Sequence, residues 1–266
     1  MEKIAKYTSF YTGVQLPILF KNLLETGNNV DKYIREGTLF ERPQLVFIYD
    51  LLFKLIKPGD VVWDIGAYIG SFAIPFAIEG MDVHAFEGFP GNFERLRINC
   101  IPYENINTYL CALSNENGKV TSKFGDCTNV EQAPTEIEYF ICDEYVKKHN
   151  IPPPKLIKMD IEGMESLALL GMSNILKNVR PIWQIGFHHP GDILVENPDQ
   201  KIEGYPGFVT PEEGGFDFET FEKLGYYVSR TWPVRHSKFL WGDCNGEYLC
   251  IPKEIMRVLW WNVFGR

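Results

Sequence analysis

An α/β domain built on a mostly parallel sheet is the fold class this sequence predicts, and three runs of residues predict it. In Val61-Val62-Trp63-Asp64-Ile65-Gly66-Ala67-Tyr68-Ile69-Gly70, an apolar run of strand length meets an acid and bends through two glycines into helix-like sequence. Asp82-Val83-His84-Ala85-Phe86-Glu87 is a second apolar run closing on an acid, 23 residues past Asp64. Lys155-Leu156-Ile157-Lys158-Met159-Asp160 repeats the pattern farther on. Near-continuous apolar strands alternating with helical segments are what a buried parallel sheet requires.

Taken in order, residues 1–57 read as a helical extension or cap, and residues 58–266 as the domain itself. Tyr7, Phe10, Tyr11 and Phe20 give the first 40 residues a mixed aromatic character, expected as short helices over the ligand crevice. Arg42 to Ile56 is a firmer helix, with Pro43 in its first turn and Leu45, Ile48, Leu52, Leu55 and Ile56 at helical spacing. After the first strand, Ser71–Ile78 is expected as helix despite Pro75, and Gly80 closes it. Pro90–Asn99 follows as the next helix, and Ile106–Leu113 as a third strand. Alternating residues between Gly118 and Tyr139 predict an inserted β hairpin. Asp143–His149 is helical, and the fourth strand ending at Asp160 leads into a helix over Glu165–Leu176. Pro181–Phe187 is a fifth strand that runs into His188-His189. A loop over residues 190–216, rich in glycine, proline and acids, has the length of a substrate lid. Phe218–Leu224 is a short helix stopped by Gly225, and Tyr226–Ser229 and Glu247–Ile251 are closing strands, read as antiparallel.

Charge and cysteine usage narrow the function. A net charge of -9 and a pI near 5.2 argue against a protein that grips nucleic-acid backbones. The six cysteines form no CxxC pair and read as reduced, packed thiols. With no signal peptide and no apolar stretch of membrane-spanning length, the expected location is the cytoplasm. Trp260, Trp261 and Phe264 are read as packing or a partner contact, and nothing in the chain specifies an oligomeric state.

The chemistry lies at the strand ends, where open α/β sheets bind ligands. Gly66 and Gly70 allow close backbone approach, while Asp64 occupies the place of the first glycine in a dinucleotide-binding turn. An acid there disfavours pyrophosphate, and with it an NAD-dependent enzyme. It suits a cofactor with a cationic centre, such as S-adenosyl-L-methionine. Glu87 stands where an acid accepts ribose hydroxyls.

These residues resemble the FkbM-type S-adenosylmethionine-dependent methyltransferases. The resemblance rests on Asp64 to Gly70, on Phe86-Glu87, on Ala112-Leu113-Ser114, and above all on Ile157-Lys158-Met159-Asp160-Ile161-Glu162-Gly163-Met164-Glu165, which looks like the family's IKxDxEGxE hallmark. It covers roughly residues 58–251. It implies a Rossmann-like seven-stranded sheet with an antiparallel last strand and helices on both faces, and methyl transfer to a hydroxyl of a small metabolite or glycan. It further implies a cofactor site of Asp64, Gly66, Ala67, Tyr68, Gly70, Glu87, Gly88, Ala112, Leu113 and Asp160. The acceptor's base is expected among Asp160, His188, Lys158 and Glu162. The chain departs from the pattern where Gly88-Phe89-Pro90 follows Glu87, and where Gly186 replaces the acid that commonly ends the fifth strand. That replacement removes a ligand for a divalent ion, so a metal-free mechanism is expected. The competing function is a cofactor-binding partner or sensor that no longer methylates.

Overall fold

The computed structural model describes residues 1–23, 29–39, 51–122, 134–187, 215–216, 218–233 and 246–256. Twelve strands are described: β1 (Lys3–Thr8), β2 (Gln15–Phe20), β3 (Val61–Ile65), β4 (Asp82–Glu87), β5 (Ile106–Leu110), β6 (Ala112–Ser114), β7 (Gly118–Ser122), β8 (Thr135–Ile141), β9 (Leu156–Met159), β10 (Ile182–Phe187), β11 (Tyr226–Pro233) and β12 (Gly246–Pro252). The helices are α1 (Asn29–Arg35), α2 (51–55), α3 (Ala73–Ile78), α4 (Pro90–Cys100), α5 (Cys142–Lys148), α6 (Glu165–Leu170), α7 (Glu219–Lys223) and α8 (253–256).

Seven strands form one sheet in the order β11-β12-β10-β9-β3-β4-β5. β3, β4 and β5 pair in parallel, as do β9 and β10, whereas β12 is antiparallel to both β10 and β11. This is a Rossmann-like α/β fold. A single antiparallel strand near one edge is the arrangement expected from the closing segments. Because strand faces must be dry in such a sheet, Val62, Trp63, Ile65, Val83, Ala85 and Phe86 are all buried.

Contacts gather the chain into two units, Met1–Ala112 with Thr121–Ile137, and Leu113–Val120 with Glu138–Arg266. In the first unit, α4 begins with Pro90 in its first turn, where a missing N–H is tolerated. Pro75 likewise sits early enough in α3 to be accommodated. The second unit contains α5, α6, α7 and α8. Arg180, in the left-handed region at φ 55°, ends the π-helical stretch Ile175–Val179 and pairs with Glu254 at 2.7 Å.

Several expectations are corrected. The first 40 residues are not simply short helices, because β1 and β2 form an antiparallel hairpin before α1. Its turn is closed by the Ser9 N–H on the Val14 carbonyl at 2.9 Å, with Gly13 at φ 68°. Ala5, Tyr7, Ile18 and Phe20 face inward. The alternation is hard to read because Ile4 and Leu19 point outward, at 57% and 44% exposure. Glu79 anchors the hairpin, accepting hydrogen bonds from the Tyr7 hydroxyl and the Phe10 N–H, each at 2.7 Å.

The third strand is also broken. β5 joins the large sheet, while β6 enters a separate sheet of order β6-β8-β7, so the inserted hairpin gains a third strand. The helix expected over Glu165–Leu176 stops at Leu170, and a π-helical stretch forms over Ile175–Val179. The Arg42–Ile56 helix falls largely outside the described residues, which show its end at 51–55. The 190–216 loop lies almost wholly outside them, as does the Trp260-Trp261 segment.

Candidate functional site

The β3–α3 turn is held by backbone geometry and by one acid. Gly66 at φ 81° and Tyr68 at φ 52° both occupy the left-handed region, which lets the chain reverse directly after β3. The Gly66 and Ala67 N–H groups donate to the Phe86 carbonyl at 2.9 and 3.0 Å, tying the turn to the end of β4. Glu87, almost fully buried, completes the clamp. Its Oε2 accepts from the Tyr68 N–H and its Oε1 from the Phe89 N–H, both at 2.9 Å. Asp64 is fully buried within β3.

A Cβ on Gly70 would lie 3.2 Å from Ile74 Cδ1 and 3.3 Å from both Leu96 Cδ1 and Cys100 Sγ, so α3 and α4 pack closely against this glycine. Gly88 is required by Ala112, whose Cβ would be 2.9 Å from a Cβ on Gly88. Leu113 is buried in β6.

A buried network escaped the sequence reading. Arg95 on α4 donates through Nη2 to Asp31 Oδ1 at 2.5 Å and through Nη1 to the Tyr68 hydroxyl at 3.0 Å. The Tyr68 hydroxyl in turn donates to Asp31. Burial pushes the Tyr68 phenol pKa well up; the Arg95 charge opposes this, and the hydrogen bond to Asp31 adds to it. Asp31 is fully buried, so its charge must be compensated locally. Asp31→Asn keeps the shape and removes that charge. It is expected to lower stability by about 2 kcal/mol, read as a reduced urea midpoint. No sequence signal joins a residue of the N-terminal extension to α4, although a lone Asp-Arg pairing among apolar residues would be one to test.

In the other unit, Asp160 follows β9 directly and Lys158 lies two residues earlier, on the same face, with Lys158 Nζ 3.9 Å from Asp160 Oδ2. Glu165, fully buried at the start of α6, accepts the Ile161 N–H at 3.0 Å and the Gly163 N–H at 3.0 and 3.2 Å. Glu162 at φ 55° and Gly163 at φ 100° make the intervening left-handed turn that this grip stabilises. The hallmark is therefore partly structural: its last acid shapes the loop and leaves Asp160 at the strand end. His188 lies outside the described residues.

A further acid appears here that sequence spacing did not single out as a site residue. Glu247 on β12 is the register partner of Gly186 on β10, and its Oε2 accepts from Gln184 Nε2 at 3.3 Å. Among the described residues, no group of three or more His, Cys, Asp or Glu side chains is gathered to hold a metal ion, and no helix is long and apolar enough to cross a membrane.

The family model for the methyltransferase FkbM domain matches residues 64–200, just over half of the 266-residue chain. The chain belongs to the FkbM methyltransferase family. Among its relatives is the hexuronic acid methyltransferase AglP of Haloferax volcanii, 31% identical over 137 residues that cover 48% of this chain and 56% of AglP. Another is the 31-O-demethyl-FK506 methyltransferase FkbM of Streptomyces tacrolimicus, 42% identical over 66 residues, covering 24% of this chain and 25% of that protein. The match thus spans little more than half the length of the first and a quarter of the second. The solved structure of methyltransferase FkbM from Methylobacillus flagellatus KT aligns at a TM-score of 0.48 with 18% identity, covering 79% of this chain and 48% of that one.

Proposed function

We propose that this methyltransferase uses S-adenosyl-L-methionine to methylate a hydroxyl oxygen on a sugar or other small polyhydroxylated acceptor. The observation that carries the reading is the pair of buried carboxylates, Asp64 within β3 and Glu87 ending β4, beside a turn in which Gly66 and Tyr68 are left-handed. Carboxylates only accept hydrogen bonds, and this set of acceptors suits a ligand that offers a cationic centre and hydroxyl groups. The residues present fit the cofactor on that ground. Once bound, it supplies an electrophilic methyl group on a sulfonium.

The chain's own tasks are then to bind, align and deprotonate. Asp64 offsets positive charge from the floor of the turn. Glu87 takes the ribose hydroxyls, with Ala67, Gly88, Ala112 and Leu113 lining the adenosine side. Asp160 and Lys158 address the acceptor, with Glu162 and His188 as further candidates for the base. The FkbM name supports an oxygen acceptor, and the AglP name supports a sugar acid.

Calorimetric titration with S-adenosylmethionine and with NAD tests the cofactor, with binding of the former alone as the expected result. Transfer of a radiolabelled methyl group to glucuronic acid, galacturonic acid or glucose tests the acceptor class. Cofactor binding with no transfer to any hydroxyl acceptor, including those in a cell extract, would favour a silent binding protein.

A further inference from the structure

We propose that Glu247, reaching across from β12, supplies the carboxylate that holds and deprotonates the acceptor hydroxyl, in place of an acid at position 186. The proposal rests on the methyltransferase reading above and assigns the acceptor side of that site.

Three observations meet at this point. First, Gly186 and Glu247 are paired across the antiparallel β10–β12 ladder, so Glu247 projects from the same face that a side chain at 186 would use. Second, a Cβ placed on Gly186 would lie 3.2 Å from Asp160 Oδ1 and 3.5 Å from Glu247 Oε1. The absence of a side chain at 186 lets the two carboxylates approach each other, and an acid grown from that position would press a third negative charge against them. Third, Gln184 is 4% exposed and holds Glu247 through Nε2, while its Oε1 has no hydrogen-bond partner among the described residues. Gln184 is the register partner of Lys158, so Lys158, Asp160, Gln184, Gly186 and Glu247 share one face at this end of the sheet.

A buried amide oxygen calls for a donor, and carboxylates take only donors. The ligand that meets these demands carries neighbouring hydroxyls: one O–H to Glu247, a second to Asp160 or to Gln184 Oε1. Lys158 Nζ offers a cation to an acidic substituent on the same acceptor. In the proton step the acceptor O–H bond breaks, its electron pair stays on the oxygen to be methylated, and the proton passes to Glu247 Oε1. Glu247 thus becomes a neutral acid, and Gln184 keeps its orientation throughout.

The test uses the intact protein with S-adenosylhomocysteine bound and methyl β-D-glucuronide as probe, followed by saturation-transfer NMR. It is paired with calorimetry for S-adenosylmethionine and with labelled methyl transfer as a function of pH. Glu247→Gln is expected to keep cofactor affinity within about twofold, to weaken probe binding about tenfold, and to lower turnover on the order of 10²-fold or more, with the acidic limb of the pH profile flattened. Glu247→Asp should recover part of the turnover. Gly186→Ala, which keeps both acids but presses a methyl group against Asp160 at 3.2 Å and Glu247 at 3.5 Å, should weaken the probe and spare the cofactor, and it serves should Glu247→Gln fail to fold. Intact cofactor affinity with unchanged probe binding and turnover in both variants overturns the proposal alone. Wild-type protein that binds no S-adenosylmethionine overturns the reading beneath it, and the proposal with it.

Discussion

Glu87→Ala is expected to weaken S-adenosylmethionine binding by roughly tenfold to a few hundredfold, since hydrogen bonds to a charged group contribute about 1.5 to 3 kcal/mol each. Each carboxylate oxygen accepts one backbone N–H, from Tyr68 and from Phe89. Truncation therefore removes the ligand contact and releases the left-handed turn at Tyr68. The two effects separate in Glu87→Gln, which keeps the side chain's length while replacing one acceptor with a donor against a donor. Calorimetry on folded protein is the measurement. An unchanged affinity in Glu87→Ala would remove the acid from the site.

The largest stability effect is expected at Gly171, between α6 and the π-helical stretch. Its φ of −77° is ordinary, so backbone conformation is not the reason for glycine here. Space is: a Cβ would stand 1.9 Å from the Ser114 carbonyl oxygen, a backbone atom that no rotamer change can move. The Gly171 N–H also donates to Leu167 and its carbonyl accepts from Asp143, so the residue cannot shift without loosening α5 and α6. Overpacking against backbone places Gly171→Ala at about 3 to 5 kcal/mol, or a melting temperature lower by about 10 °C. A thermal melt within 2 °C of wild type, taken as roughly the shift from 1 kcal/mol or less, would show that Ser114 yields instead.

Local grammar carried much of the fold. Strands β3, β4 and β9 were legible because each is an apolar run stopped by an acid or a glycine turn, and that pattern has few other physical solutions. The N-terminal hairpin was not, because Ile4 and Leu19 face outward and blur its two-residue period. The helix after β9 was drawn too long. Its apolar periodicity continues past Gly171, while the crowding by Ser114 that favours glycine there comes from residues distant in sequence.

The same division runs through the site. By itself, the sequence determined the acids at strand ends, the turn between Asp64 and Gly70, and the shared face of Lys158 and Asp160, since alternation along one strand is a local property. Only the tertiary structure decided that Arg95 and Tyr68 meet Asp31, that Glu165 grips its own loop, and that Glu247 stands opposite Gly186. Those pairings depend on which strands become neighbours and in which register. Register between segments far apart in the chain is set by packing of the whole sheet, which no spacing within a single segment records.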